Sequence, residues 1–305
     1  MKAFIPSGDA TLVTLSKTDA PTPRPDEALV EVEAYSINRG EIFLLAAGRQ
    51  SPPGKDIAGR VLRPAADGNG PAVGERVVAH VEQGGWAEQA VVPTSQLAVL
   101  RDGTSTEVAA ALPLAGLTAL RLLRAAGGVA GRRVLLTGAS GGVGHYFVEL
   151  AAAIGTRVTA VASTPVRGER LLALGADAVV TSVEDAVGPF DVVIESVGGD
   201  VFGEAVVKLK RGGLMLWFGQ AGLQPARADF FAIQRGPVEV TIRNFNYWTE
   251  GDDAEDLATL VDLVATGRLH PEIGVTADWT DTPHLLSAVR DREVRGNAVA
   301  VIARD

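Results

Sequence analysis

Along residues 1–109 apolar and polar positions alternate over short stretches. Val30, Val32 and Ala34 are separated by Glu31 and Glu33, the period of a strand with one buried face. Asp67-Gly68-Asn69-Gly70, Gly84-Gly85 and Pro93 punctuate the stretches and predict turns or strand ends. A rolled antiparallel β domain is the expected outcome. The rhythm then changes. Val134-Leu135-Leu136 is a short apolar run followed by glycines, then by Val143, Phe147, Leu150, Ala151 and Ile154 at helical spacing. Further apolar runs at 158–161, 178–180, 192–194, 214–218 and 238–242 are separated by helical stretches. Such alternation predicts a doubly wound parallel sheet.

After residue 246 the stripe Leu257, Leu260, Val261 and Val264, closed by Gly267, predicts an amphipathic helix with its stop. Ala298 to Ile302 reads as a strand too short to stand alone, so the tail is expected to return to the β domain. The organisation expected is a β-rich domain over 1–109, an inserted Rossmann domain over 110–245, and a return to the first domain over 246–305.

Composition narrows the functions. Lys and Arg number 28 against 37 Asp and Glu, a net charge of −9 with no basic run, which argues against a nucleic-acid partner. Cysteine is absent, removing disulfides, thiolate nucleophiles and Cys-ligated zinc. The longest apolar run, between Glu107 and Arg121, is broken by Pro113 and Gly116, short of the ~18 residues of a membrane span. The N-terminus lacks a secretory h-region, so a cytoplasmic protein is expected. The four histidines show no ligand spacing, and no metal is expected.

Leu136-Thr137-Gly138-Ala139-Ser140-Gly141-Gly142-Val143-Gly144 follows a strand and opens a helix. In that context glycines permit a tight turn and close backbone approach to a pyrophosphate, and the helix N-terminus offers N–H groups to the anion. Ser140, Gly141, Gly142, Val143 and Gly144 are the predicted cradle. A dinucleotide binder selective for NAD carries an acid at the end of the second strand. Here Ser163, Thr164 and Arg167 stand there, so NADP(H) is the expected cofactor, its 2′-phosphate on the guanidinium. Ser196, Val197 and Gly198, with Phe218 and Gly219, end two later strands where open α/β folds bind ligands.

These residues resemble the medium-chain dehydrogenase/reductase superfamily, in its zinc-independent quinone oxidoreductase and enoyl reductase branch. The resemblance runs through the glycine loop, Ser36-Ile37-Asn38-Arg39, residues 53–59, Gly84-Gly85-Trp86-Ala87-Glu88, residues 112–119 and residues 191–199. It implies a GroES-like catalytic domain split by a Rossmann domain, and commonly a homodimer. Zinc-dependent relatives carry His-Glu where this chain has Lys55-Asp56, together with a cysteine-rich lobe that is absent here. Many relatives also place a tyrosine shortly before the segment 53–59, where this chain has Gly48-Arg49-Gln50-Ser51-Pro52.

The function expected is hydride transfer from NADPH to a quinone or an α,β-unsaturated carbonyl. Asn38, at a family position near the nicotinamide, is the candidate donor to the developing enolate oxygen. Thr118 matches a family position near the same ring, and Asn297 lies in a C-terminal loop where relatives contact the cofactor. With the usual tyrosine missing, water, Tyr247, Tyr35 or the cofactor ribose is left as the proton source. Phe245 and Tyr247, in an aromatic cluster, and Trp86 are the expected substrate walls. A sensor that binds NADPH without turnover, and a reductase dedicated to one biosynthetic intermediate, are the competing readings.

Overall fold

The computed structural model describes residues 1–303. Two compact units divide the chain: Met1–Leu117 together with the segment from Asp252 on, and Thr118–Gly251. The divisions fall after residues 117 and 251 rather than after 109 and 245. Contacts on the way into the second unit explain the first difference. The Leu114 N–H donates to Asp56 Oδ1 (2.9 Å), and a Cβ on Gly116 would meet Leu260 at 2.9 Å, so 113–117 stay with the first unit.

The first unit begins with β1 (Lys2–Pro6), β2 (Val13–Lys17), β3 (Glu27–Ile37), α1 (Arg39–Ala46), β4 (Asp56–Arg63), β5 (Arg76–His80), β6 (Gln89–Pro93), β7 (Leu97–Val99) and α2 (Thr106–Ala110). Helix α3 (Pro113–Ala125) leads onward. The second unit holds β8 (Arg133–Leu136), α4 (Gly142–Ala153), β9 (Arg157–Val161), α5 (Pro165–Ala173), β10 (Ala178–Val180), β11 (Phe190–Glu195), α6 (Gly199–Val206), β12 (Leu209–Trp217), α7 (Phe230–Arg235) and β13 (Thr241–Asn244). The chain ends with α8 (Asp253–Ala265), β14 (Ile273–Asp278), α9 (Thr282–Arg290) and β15 (Asn297–Val301).

In the second unit the sheet order is β10-β9-β8-β11-β12-β13, and every pair is parallel. The chain starts at β8, winds out to β10, and crosses back to β11. The reversal lies between β8 and β11, where open sheets of this kind bind ligands beyond their carboxyl ends. The last strand begins three residues later than its apolar run suggests. Val238 N–H is drawn to Ile233 O (3.3 Å) and Glu239 takes a positive φ of 59°, so 238–240 turn before pairing starts.

In the first unit β14-β15-β3-β4-β5-β7 form one sheet, with β6 also on β3. Val30, Val32 and Ala34 face inward, fully buried. β15 pairs antiparallel with β3, Ala298 opposite Ile37, so the tail does rejoin the first domain. A Cβ at Gly59 would stand 1.9 Å from the Glu31 carbonyl oxygen, so only glycine lets β3 and β4 close. Trp86 fills the core beneath them. It is wholly buried, stacks on Tyr35 with centroids 5.8 Å apart, and donates its indole N–H to Ser36 O (3.1 Å). The assignment of Trp86 as a substrate wall is therefore corrected: its aromatic face is spent on packing. Trp86→Ala is expected to lower folding stability by about 3–5 kcal/mol, read as a shifted midpoint in chemical denaturation.

Candidate functional site

In the second unit the residues expected around a dinucleotide converge at the carboxyl ends of β8, β9, β11 and β12. Gly144 shows why the turn after β8 must be glycine. A Cβ there would lie 2.1 Å from the Ala139 carbonyl oxygen, so the first turn of α4 sits directly on the loop. Gly141 at the helix N-cap has no side chain to satisfy the first-turn N–H groups, which leaves Gly142 and Val143, both half-buried, to offer theirs to an anion. These residues fit a pyrophosphate.

Beyond β9, Thr164 caps α5 by accepting from the Arg167 N–H (3.3 Å), and Pro165 begins the helix. That cap turns Arg167 back over the glycine loop, where its Nε donates to Ser140 Oγ (3.1 Å). Ser163 and Thr164 are exposed beside it. A guanidinium and three hydroxyls thus stand at the end of β9, a donor set suited to a phosphate.

One residue at this edge escaped sequence reading. Glu195, fully buried at the end of β11, accepts at Oε1 from Val197 N–H (2.7 Å), Gly198 N–H (3.1 Å) and Thr137 Oγ1 (3.2 Å). Burial raises its carboxyl above the ordinary range, and these hydrogen bonds work the other way. Ser196 closes the seam, its N–H on Thr137 Oγ1 (3.0 Å) and its Oγ on Thr137 O (3.2 Å). Phe218 N–H bonds Glu195 O (3.0 Å), and Gly219 O accepts from the Trp217 indole (2.7 Å). Thr118 is buried in α3. Phe245 is also buried, at 2% exposure, and so presents no wall to a ligand. Tyr247 is half-buried, with its carbonyl held by Arg121 (2.8 Å).

The first unit carries a second polar cluster. Asp56 is completely buried at the start of β4, its Oδ2 accepting from Ser36 Oγ (2.6 Å) and Asn38 Nδ2 (2.7 Å). Glu41, on the first turn of α1 and also buried, accepts at Oε2 from the Asn38 N–H (3.1 Å) and from Asn38 Nδ2 (3.4 Å). Its Oε1 accepts from Gly54 N–H (3.0 Å). Burial first, and then the charge of Asp56, push the Glu41 carboxyl up to about 8. Asp56 is raised by burial as well, with the nearby His80 charge opposing. His80 Nδ1 in turn meets Asp253 Oδ2 at 2.9 Å.

This cluster corrects the role expected of Asn38. Both hydrogens of its amide face carboxyl groups, so it holds two acids in place rather than offering a donor to a substrate oxygen. Tyr35 is no proton source either, since its hydroxyl is buried against Thr282 Oγ1 (2.6 Å). Asn297 is buried in β15, its Nδ2 donating to Glu272 O (3.0 Å), so its side chain fastens the strand. Among the described residues no three of His, Cys, Asp and Glu form a group that could hold a metal ion.

Residues 24–102 match the family described as alcohol dehydrogenase GroES-like domain, and residues 142–266 match zinc-binding dehydrogenase. The chain is 35% identical to a chloroplast envelope quinone oxidoreductase homolog of Arabidopsis thaliana, over 92% of this chain and 90% of that one. The structure of the quinone oxidoreductase from Coxiella burnetii superposes with a TM-score of 0.86 at 26% identity, covering 99% of each chain. That of Escherichia coli quinone oxidoreductase complexed with NADPH gives 0.87 at 21% identity, covering 99% of this chain and 100% of that one. A GroES-like unit interrupted by a Rossmann unit, a glycine-rich turn between β8 and α4 and these likenesses agree. The chain belongs to the medium-chain dehydrogenase/reductase superfamily of oxidoreductases, in its quinone oxidoreductase branch.

Proposed function

We propose that this protein is an NADPH-dependent, zinc-independent reductase of quinones or α,β-unsaturated carbonyls. The observation that carries the reading is the donor set at the end of β9: Arg167 hydrogen-bonded to Ser140, with Ser163 and Thr164 alongside and no acid to meet a ribose 2′-hydroxyl. Arg167, Ser140, Ser163 and Thr164 would hold the 2′-phosphate, and Gly141, Gly142, Val143 and Gly144 the pyrophosphate. Thr118, the Ser196–Gly198 turn, Phe218 and Gly219 would line the rest of the dinucleotide. When bound, the cofactor supplies a hydride from its nicotinamide ring.

Zinc independence is supported by the donor chemistry, since Lys55-Asp56 replaces His-Glu and cysteine is absent. A conjugated acceptor suits such a site. Hydride adds at the β-carbon, the π electrons move toward the carbonyl oxygen, and no Lewis acid is required when polar groups and a proton meet that charge. Tyr247 stays a candidate contact at the acceptor end.

We read the protein as a cytoplasmic homodimer. Support comes from β13, an edge strand whose four residues are all exposed, with Ile242 at 43%. An open edge strand is normally covered or paired, and a second copy offers the matching edge. Among the described residues no helix is long and apolar enough to cross a membrane.

Arg167→Ala is expected to raise the KM for NADPH by about 10- to 100-fold, the worth of one or two charge-assisted bonds, while leaving that for NADH nearly unchanged. Ile242→Lys is expected to shift the protein toward monomer in light scattering. The acceptor is tested by following nicotinamide oxidation with naphthoquinones, enals and cyclic enones in parallel. Turnover of quinones alone identifies a quinone reductase and turnover of enones a double-bond reductase. Tight NADPH binding with no turnover would instead support the sensor or a reductase for a single pathway intermediate, a reading that the missing tyrosine favours.

A further inference from the structure

At the carboxyl edge of the parallel sheet, two successive peptide groups are held at both ends. The Val197 N–H donates to Glu195 Oε1 (2.7 Å), and the carbonyl of the same peptide, Ser196 O, accepts from the Ala221 N–H (2.8 Å). The next peptide repeats the arrangement: the Gly198 N–H donates to Glu195 Oε1 (3.1 Å) and Val197 O accepts from the Gly222 N–H (2.8 Å). The N–H and C=O of a trans peptide point opposite ways. One carboxyl oxygen on the inner side therefore turns both carbonyls toward the loop that follows β12.

The same oxygen reaches the glycine-rich turn. Thr137 Oγ1 donates to it (3.2 Å) and accepts from the Ser196 N–H (3.0 Å), and Ser196 Oγ lies over Gly138, where a Cβ would be 2.6 Å away. Glu195 Oε1 thus joins the segments that follow β8, β11 and β12, whereas Oε2 has no hydrogen-bond partner among the described residues. What the carboxyl holds, it holds through one atom.

We propose that Glu195 is a positioning residue of the cofactor site, setting the 196–198 turn and the 220–222 loop against the glycine-rich turn for the part of the dinucleotide beyond the 2′-phosphate. The inference rests on the reading that this edge binds NADPH. Glu195 is fully buried, so it acts through the backbone that it orients. A turn fixed before the ligand arrives need not be ordered during binding, and that saving appears as affinity. The groups at the end of β9, Arg167 on Ser140 and Thr164 on the start of α5, are fixed by bonds of their own. A carboxyl that merely supported the unit would weaken every ligand when lost; a positioning one weakens the ligand that reaches the turn.

The test measures dissociation constants of two ligands for the whole protein, NADPH by its nicotinamide fluorescence and adenosine 2′,5′-bisphosphate by calorimetry. Glu195→Leu removes the acceptor. It is expected to weaken NADPH by about 10-fold, the worth of about one hydrogen bond, and to leave the bisphosphate within about twofold. Glu195→Gln keeps an accepting oxygen and is expected to restore NADPH binding nearly to the wild-type value. Equal weakening of both ligands, or of neither, overturns the proposal, as does a glutamine variant as weak as the leucine one. If the leucine variant does not fold, Thr137→Val decides: it removes only the hydroxyl that ties the two turns, and is expected to weaken NADPH by about 3-fold with the bisphosphate unchanged. Loss of both or of neither again overturns the proposal.

Amide hydrogen exchange without cofactor adds an independent reading. The Val197 and Gly198 N–H groups are expected to be protected in the wild type and in Glu195→Gln and to exchange fast in Glu195→Leu. Fast exchange in the wild type overturns the proposal even if NADPH binds. A wild type that shows the protection but binds no NADPH overturns the reading of the function, and the proposal falls with it.

Discussion

The second unit depends on one close approach. Because residue 144 has no side chain, α4 can rest its first turn against the Ala139 carbonyl, where a Cβ would be 2.1 Å away. That contact fixes where β8 hands over to the helix, and so where the helix N-terminus points. Once it points beyond the carboxyl edge, the ends of β9, β11 and β12 supply the remaining groups, because all the strands run in the same direction. Glu195 fastens the neighbouring loop from below by accepting two backbone N–H groups and a threonine hydroxyl. An apolar residue there would leave those donors buried and unmet, which costs more than the bonds themselves contribute.

The first unit is organised around polar groups of a different kind. Asp56, Glu41, Ser36 and Asn38 share one hydrogen-bond network inside an otherwise apolar sheet. Buried acids weaken a fold unless every oxygen finds a donor, and here both oxygens of Asp56 and both of Glu41 meet one. The replacement of a His-Glu pair by Lys55-Asp56 keeps an acid in the core while removing a metal ligand.

Sequence reading succeeded where one local signal carried the structure. The five runs at 134–136, 158–161, 178–180, 192–194 and 214–218 all became strands of the parallel sheet, because strands buried on both faces read as continuous hydrophobic stretches. The glycine-rich turn into α4 was legible for a similar reason, since its residues are contiguous and its requirement is backbone space. Helix α1 was not read, because Gly40 and a short length blur its period, and β14 alternates only between exposed and half-buried positions. The cluster around Glu41 was invisible, since residues 36, 38, 41, 56, 80 and 253 are joined only by the folded sheet. Trp86 and Phe245 were misplaced because an aromatic residue looks the same in a sequence whether it packs a core or faces a ligand.

The place of β15 also bears on how the chain comes to be made. It lies between β14 and β3, along the part of β3 that β6 leaves uncovered. During synthesis, residues 34–37 are made well before their partners at 298–301, with all the strands of the parallel sheet in between. Until then β3 offers bare backbone donors and acceptors on an apolar strand, the kind of surface that chaperones cover and aggregates recruit.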